Sequence, residues 1–111
     1  MLKIRIPLYS LETARTLGEA LGVSHTVLMG EAITTESVHR IERDGPLSAE
    51  PVVHTGHRPR MLSPHVLATV TGVGGHTKRA VTAAAIRMGV SEARLMRAAI
   101  DRHLGGLLGN V

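Results

Sequence analysis

A twelve-residue pattern of hydrophobic and polar positions occurs twice along the chain. The copies span residues 22–33 and 89–100, and seven of the twelve positions are identical at an offset of 67. Each copy opens with Gly-Val-Ser and then places Leu, Met, Ala and Ile at i, i+1, i+4 and i+5, which is one apolar face of a helix. Gly is typical of a helix end, and Ser two residues later is a good N-cap. The pattern predicts a helix, a turn and a second helix in each copy.

The helix before each turn is predicted from the residues that precede the glycines. Ser10 and Thr77, both N-cap residue types, lie twelve residues before Gly22 and Gly89. The intervening segments are long enough for about three helical turns. We therefore expect these helices to begin at Ser10 and Thr77 and to end at the glycines.

A strand is predicted ahead of each helix pair. Residues 2–6 alternate strictly, with Leu and Ile on one face and Lys3 and Arg5 on the other, and Pro7 ends the strand. Residues 65–71 are β-branched and roughly alternating. The offset of 67 and the hydrophobic pattern disagree on the register of this second strand. We prefer the hydrophobic pattern, which points residues 66, 68 and 70 inward and 67, 69 and 71 outward, with a one-residue insertion relative to the first copy.

The second helix of each copy is predicted to differ in length. In the first copy, apolar residues at helix-compatible spacing extend to Ile41, so Ser24 is expected to cap a long helix that stops by Gly45-Pro46. In the second copy, the helix is expected to run from Glu92 to about His103. A frayed tail follows, unless its leucines dock.

This order of elements resembles the ribbon-helix-helix DNA-binding family. The basic N-terminal strand, the two Gly-Val-Ser turns and the apolar second helices carry the resemblance. It implies a mainly α fold with a two-stranded antiparallel ribbon, and because one chain holds both copies, a tandem ribbon-helix-helix pseudo-dimer in a single domain. Residues 1–43 and 65–104 would be the two halves, residues 44–64 the linker and residues 105–111 the tail. The chain is similar to single-chain double members, some of which are accessory factors in conjugative or T-DNA transfer.

Composition adds charge to this picture. The net charge is +4 with a pI near 10.7, and residues 51–91 contain no acidic residue, which favours an anionic partner. One Tyr, with no Phe or Trp, predicts an aliphatic core, and there is no cysteine for a disulfide or thiolate site. No apolar run approaches the length of a membrane span. We expect a cytoplasmic protein with no membrane partner.

The resemblance assigns roles to particular residues. The ribbon would enter the major groove of double-stranded DNA, and the turn between helices would clamp a backbone phosphate. With the outward strand positions, this gives Lys3, Arg5, Thr69 and Thr71 as base-contacting residues. The phosphate-contacting residues would be Ser24, His25, Ser91, Arg58, Arg60, Lys78 and Arg79. Glu92, next to Ser91, would repel a phosphate at the second turn.

Other chemistry is weakly supported. His54 and His57 have metal-ligand spacing but no third ligand nearby. The glycine-rich segment 72–78 departs from the phosphate-loop pattern, because Thr77 precedes Lys78. We expect no cofactor, no metal and no enzymatic activity.

Three functions remain open. The first is a DNA-binding accessory factor of a relaxosome or conjugative plasmid transfer, with self-association on DNA and contacts to a relaxase or other transfer proteins. The second is a transcriptional repressor or antitoxin. The third is a protein–protein interaction module that has lost DNA binding.

Overall fold

A computed structural model of the chain describes residues 2–47, 52–55, 58–61 and 64–109, with backbone alone at 52–55 and 58–61. The elements, in chain order, are β1 (Leu2–Pro7), α1 (Leu8–Leu21), α2 (His25–Ala32), α3 (Thr35–Asp44), β2 (Val52–Thr55), β3 (Arg58–Met61), β4 (His65–Val70), α4 (Gly75–Met88) and α5 (Glu92–Gly109). The chain is mainly helical and has a two-stranded antiparallel sheet of β1 and β4, which confirms the predicted fold class at this level.

The β1–β4 sheet, hereafter the ribbon, has the register expected from the hydrophobic pattern. Lys3 pairs with Thr69 and Arg5 pairs with Leu67. Of the inward residues, Ile4, Ile6, Ala68 and Val70 are at most 4% exposed, and Leu2 and Val66 are partly buried against the core. A shift by one residue would turn these side chains to solvent, so their burial fixes the register.

The starts of α1 and α4 were predicted wrongly. Pro7 and Gly74 are the N-cap residues, and neither Ser10 nor Thr77 caps a helix. The Leu8 N–H donates to the Pro64 carbonyl at 2.8 Å, so α1 can begin directly after the strand without a side-chain cap. Ser10 is instead buried within the helix, where its Oγ donates to Asp101 Oδ1 of α5 at 2.8 Å.

The ends of these helices confirm the glycine prediction. Gly22 and Gly89 are left-handed, with φ of 71° and 69°. The next N–H in each copy closes the same kind of bond, from Val23 to the Gly18 carbonyl and from Val90 to the Ala85 carbonyl. Each bond joins an N–H to the carbonyl five residues earlier, as in the Schellman motif that satisfies the last carbonyls of a helix.

The long helix expected after Ser24 is broken in two. Ile33 is extended and only 2% exposed, and Thr34 then starts α3 with a capping box, in which the Ser37 N–H and the Thr34 side chain pair at 3.0 Å. The break lets α3 pack against α4 and α5 while Val38 and Ile41 stay buried. Spacing alone missed it, because the apolar residues on either side remain compatible with one continuous helix.

The tail is not frayed, because its leucines dock on the core, which was the stated alternative. Helix α5 continues to Gly109, with Leu104 buried and Leu107 packed against the core. The burial of these leucines offsets the low helix propensity of Gly105 and Gly106. The apolar face predicted for this helix, formed by Leu95, Met96, Ala99 and Ile100, is buried.

One core joins all of these helices to the inner face of the ribbon. Helix α1 packs against α2 and α5, and α4 packs against α3 and α5. The fully buried side chains are mostly aliphatic, as expected. None of the helices among the described residues is both long and apolar enough to cross a membrane.

The predicted linker contains regular structure that its composition did not indicate. Strands β2 and β3 form an antiparallel hairpin, with Val52 opposite Met61 and Thr55 opposite Arg58. Its second strand ends four residues before β4 begins, so the base of the hairpin lies within about 13 Å of the ribbon along the chain.

Candidate nucleic-acid interface

The outer face of the ribbon carries two cross-strand pairs of exposed or partly exposed side chains. Lys3 and Arg5 come from β1 and are exposed; Thr69 and Leu67 come from β4, and Leu67 is 58% exposed. Two strands lie about 4.8 Å apart, so the ribbon is narrow enough for a major groove about 12 Å wide. The two pairs together present two cations, one hydroxyl and one apolar side chain.

Thr71, the remaining predicted base contact, is not part of the strand. It lies one residue beyond β4, and its N–H donates to the Thr26 carbonyl of α2 at 3.2 Å. The strand therefore ends because α2 takes its next hydrogen bond. The outer face also carries Leu67, which was not among the predicted base contacts. The alternation already pointed Leu67 outward, and an apolar side chain among charges was the signal that sequence reasoning passed over.

The first turn presents the start of α2. Ser24 is the N-cap residue, but its Oγ pairs with Thr26 Oγ1 at 2.9 Å and makes no bond to a helix N–H. The start of α2 therefore has no side-chain cap, and a helix N-terminus of this kind favours an anion. His25 and Arg15 of α1 line an open groove beside the turn, together with Glu19. Arg15 is a cation near this turn that the sequence analysis did not single out.

The second turn is organised differently. Ser91 Oγ accepts the Arg94 N–H at 3.1 Å, so Ser91 caps α5 as predicted. The Glu92 carboxylate accepts the Thr82 hydroxyl of α4. An acid is therefore held beside the start of α5, whereas a histidine stands at the same place in the first turn. The two turns are not equivalent sites for an anion.

The remaining predicted phosphate contacts are spread over two elements. Lys78 and Arg79 are exposed near the start of α4. Arg58 and Arg60 stand at alternate positions of β3. The histidine considered as a metal ligand at position 57 lies outside the described residues, and only the backbone is described for His54. Within the described part of the chain, no group of three His, Cys, Asp or Glu residues could hold a metal ion.

The glycine-rich segment bends the chain from strand to helix. Gly72 is left-handed with φ of 87°, and Gly74 is the N-cap of α4. The segment therefore serves as the connection between β4 and α4.

An ion pair ties α3 to α4 on the surface. Arg87 Nε and Nη2 donate to the two Glu42 carboxylate oxygens at 2.8 and 2.6 Å. This bonding lowers the pKa of Glu42 from its ordinary value and raises the pKa of Arg87. The acids of α3 are thereby partly neutralised by bases of the second half of the chain.

No protein-family model, curated protein or solved structure matches the chain. The functional conclusion therefore depends on the geometry of the ribbon and its surroundings.

Proposed function

We propose that the chain binds double-stranded DNA by inserting the ribbon into the major groove. The observation that carries this proposal is the outer face, where Lys3, Arg5, Leu67 and Thr69 form two cross-strand pairs above an apolar inner face packed on the core. Arg and Lys pair with guanine O6 and N7, Thr bonds several base edges, and an apolar side chain contacts the thymine methyl. A ribbon whose outer face served solubility alone would gain nothing from an exposed leucine at its centre.

The proposal includes a tandem ribbon-helix-helix pseudo-dimer within the chain. It is supported by two helices of 14 residues, α1 and α4, each ending at a left-handed glycine and followed by Val and Ser. It is also supported by the antiparallel pairing of the strands that precede them. The two halves share one core, since neither is large enough to bury sufficient surface alone.

The two strands of this ribbon carry different base-contacting side chains. Strand β1 presents Lys3 and Arg5, whereas β4 presents Leu67 and Thr69. A homodimer presents two identical strands and reads a palindrome. We therefore propose a non-palindromic site, with guanine under β1 and a thymine methyl under Leu67.

Phosphate contacts would come from the first turn and from the basic residues of α4 and the hairpin. Ser24 and His25 stand at the uncapped start of α2, while Glu92 disfavours a phosphate at Ser91. Among DNA-binding roles, the resemblance to single-chain double members favours an accessory factor in DNA transfer.

Selection of bound duplexes from a random pool tests the proposal. The expected result is enrichment of an asymmetric, guanine-containing site. On that site, Arg5→Ala should weaken binding by about 1–3 kcal/mol, which is roughly 5- to 150-fold, and relax the preference for guanine. Arg40→Ala is the matched control, because Arg40 is an exposed cation of α3 paired with Glu36. If Lys3→Ala and Arg5→Ala leave affinity and sequence preference unchanged, the ribbon is not the reader.

The hairpin can be tested separately. If Arg58 and Arg60 contact phosphates, replacing both by Gln should reduce the slope of log K against log salt by about 1.8 while the selected sequence stays the same. An unchanged slope would remove the hairpin from the interface without affecting the role of the ribbon.

A further inference from the structure

Arg97 of α5 contacts the backbone of the strand that carries the proposed guanine reader. Its Nη1 donates to the Arg5 carbonyl at 3.2 Å. Arg5 belongs to β1 and presents an exposed side chain on the outer face of the ribbon. Arg97 therefore binds the backbone of Arg5 from α5, while the Arg5 side chain lies on the outer face.

The corresponding position in the first copy is a glycine. At the offset of 67, Arg97 matches Gly30 of α2, and with the one-residue insertion in the second strand, Arg5 matches Thr71. A Cβ placed on Gly30 would lie 1.7 Å from the Thr71 carbonyl oxygen. The two equivalent strand carbonyls are therefore contacted differently. The Thr71 carbonyl lies against the backbone of α2 at Gly30, and the Arg5 carbonyl accepts a hydrogen bond from the Arg97 guanidinium.

The consequence is that the two strands are held in different ways. Helix α2 approaches the end of β4 to backbone contact, and the Thr71 N–H closes a hydrogen bond to Thr26. Helix α5 reaches β1 at this position through the long side chain of Arg97. A guanidinium donating to a carbonyl is a charge-assisted bond with a fixed planar geometry, so it orients the peptide that it binds.

We propose that Arg97 is a positioning residue for Arg5, and that it determines how strictly β1 discriminates guanine. The inference rests on the proposed function. By holding the Arg5 carbonyl, Arg97 fixes the peptide plane and hence the direction of the Arg5 Cα–Cβ bond. Its positive charge also disfavours an Arg5 side chain folded back towards α5 and so favours one extended into the groove.

A double-mutant cycle on the selected duplex and on a duplex with its guanine replaced tests this role. Arg97→Met should reduce the preference for the guanine duplex by roughly 3- to 30-fold, which lies within the range of coupling between residues in direct contact. In an Arg5→Ala background, the same substitution should no longer change base preference. The slope of log K against log salt should stay as in the wild type, since Arg97 is not assigned a phosphate.

Two further variants sharpen the test. Arg102→Met removes the same charge from the same helix at a residue paired with Asp44, and it should leave base preference unchanged. Arg97→Gln retains a side-chain donor and should lose less discrimination than Arg97→Met; thermal melting verifies that each variant is folded.

Two results would overturn the positioning role while leaving the proposed function standing. One is a wild-type guanine preference in Arg97→Met. The other is an equal loss on both duplexes with a salt slope reduced by about 0.9, which would make Arg97 a phosphate contact. A wild-type protein that retains no duplex from the pool would refute the proposed function and the role of Arg97 together.

Discussion

Replacing Gly30 by Ala tests the packing of α2 against the ribbon. The added Cβ would lie 1.7 Å from the Thr71 oxygen and 2.9 Å from the Thr71 carbonyl carbon, both backbone atoms. Because real contacts of this kind stay beyond 3.0 Å, helix and strand end must separate by at least about 1.3 Å. Overpacking of this kind costs about 1–3 kcal/mol, and stretching the Thr71–Thr26 hydrogen bond adds to it. The higher helix propensity of Ala returns up to about 1 kcal/mol.

We therefore expect Gly30→Ala to lower the free energy of unfolding by about 1–3 kcal/mol, or the melting temperature by roughly 4–20 °C. The free energy of unfolding is measured by urea denaturation followed by circular dichroism. Gly105→Ala is the matched control, since nothing lies within 4 Å of the Cβ that it would add to α5. That variant should gain about 0.5–1 kcal/mol. A Gly30→Ala protein as stable as Gly105→Ala would show that α2 does not rest on the Thr71 backbone.

Three further outcomes follow from single contacts. Arg87→Ala should lower the melting temperature at pH 7. The difference in melting temperature between this variant and the wild type should shrink as the pH falls below about 4.5, because the ion pair stabilises the fold only while Glu42, whose pKa is lowered, stays ionised. A difference in melting temperature that grows in acid would contradict this ion pair. Ser10→Ala should cost about 1 kcal/mol in urea unfolding, since it removes the buried hydroxyl bonded to Asp101; an unchanged stability would argue against that bond. Leu67→Ala should leave stability within about 0.5 kcal/mol but weaken binding to the selected duplex, and replacing the thymine under it by uracil should remove the difference.

Those parts of the fold set by local chemistry were predictable from the sequence. The alternation of residues 2–6 gave β1, and burial of Ala68 and Val70 bears out the register read from the hydrophobic pattern of β4. Gly22 and Gly89 have the positive φ that their place after an apolar run indicated. Each of these features depends on a side-chain period or on a conformation that only a few residues adopt.

The parts that depend on distant contacts were not predictable. Ser10 has the right chemistry for a cap, but the Pro64 carbonyl satisfies the first N–H of α1, and Ser10 bonds a helix ninety-one residues away. The break at Ile33–Thr34 has a local signal in the Thr34–Ser37 capping box, but the apolar spacing used for the prediction does not register it.

The candidate site shows the same division. The outward direction of Lys3, Arg5 and Leu67 was readable from the pattern. The hydrogen bond of Thr71 to α2 and the contact of Arg97 with Arg5 were not, since both require the distance between a helix and a strand end.

The most direct test of the central claim is the change in backbone amide NMR signals when the selected duplex is added to the labelled protein. We predict that the largest changes occur at Lys3, Arg5, Leu67 and Thr69 and at the start of α2, with little change in α3, which packs against α4 and α5. Unchanged ribbon amides at saturating duplex, or changes centred on α3, would contradict the account.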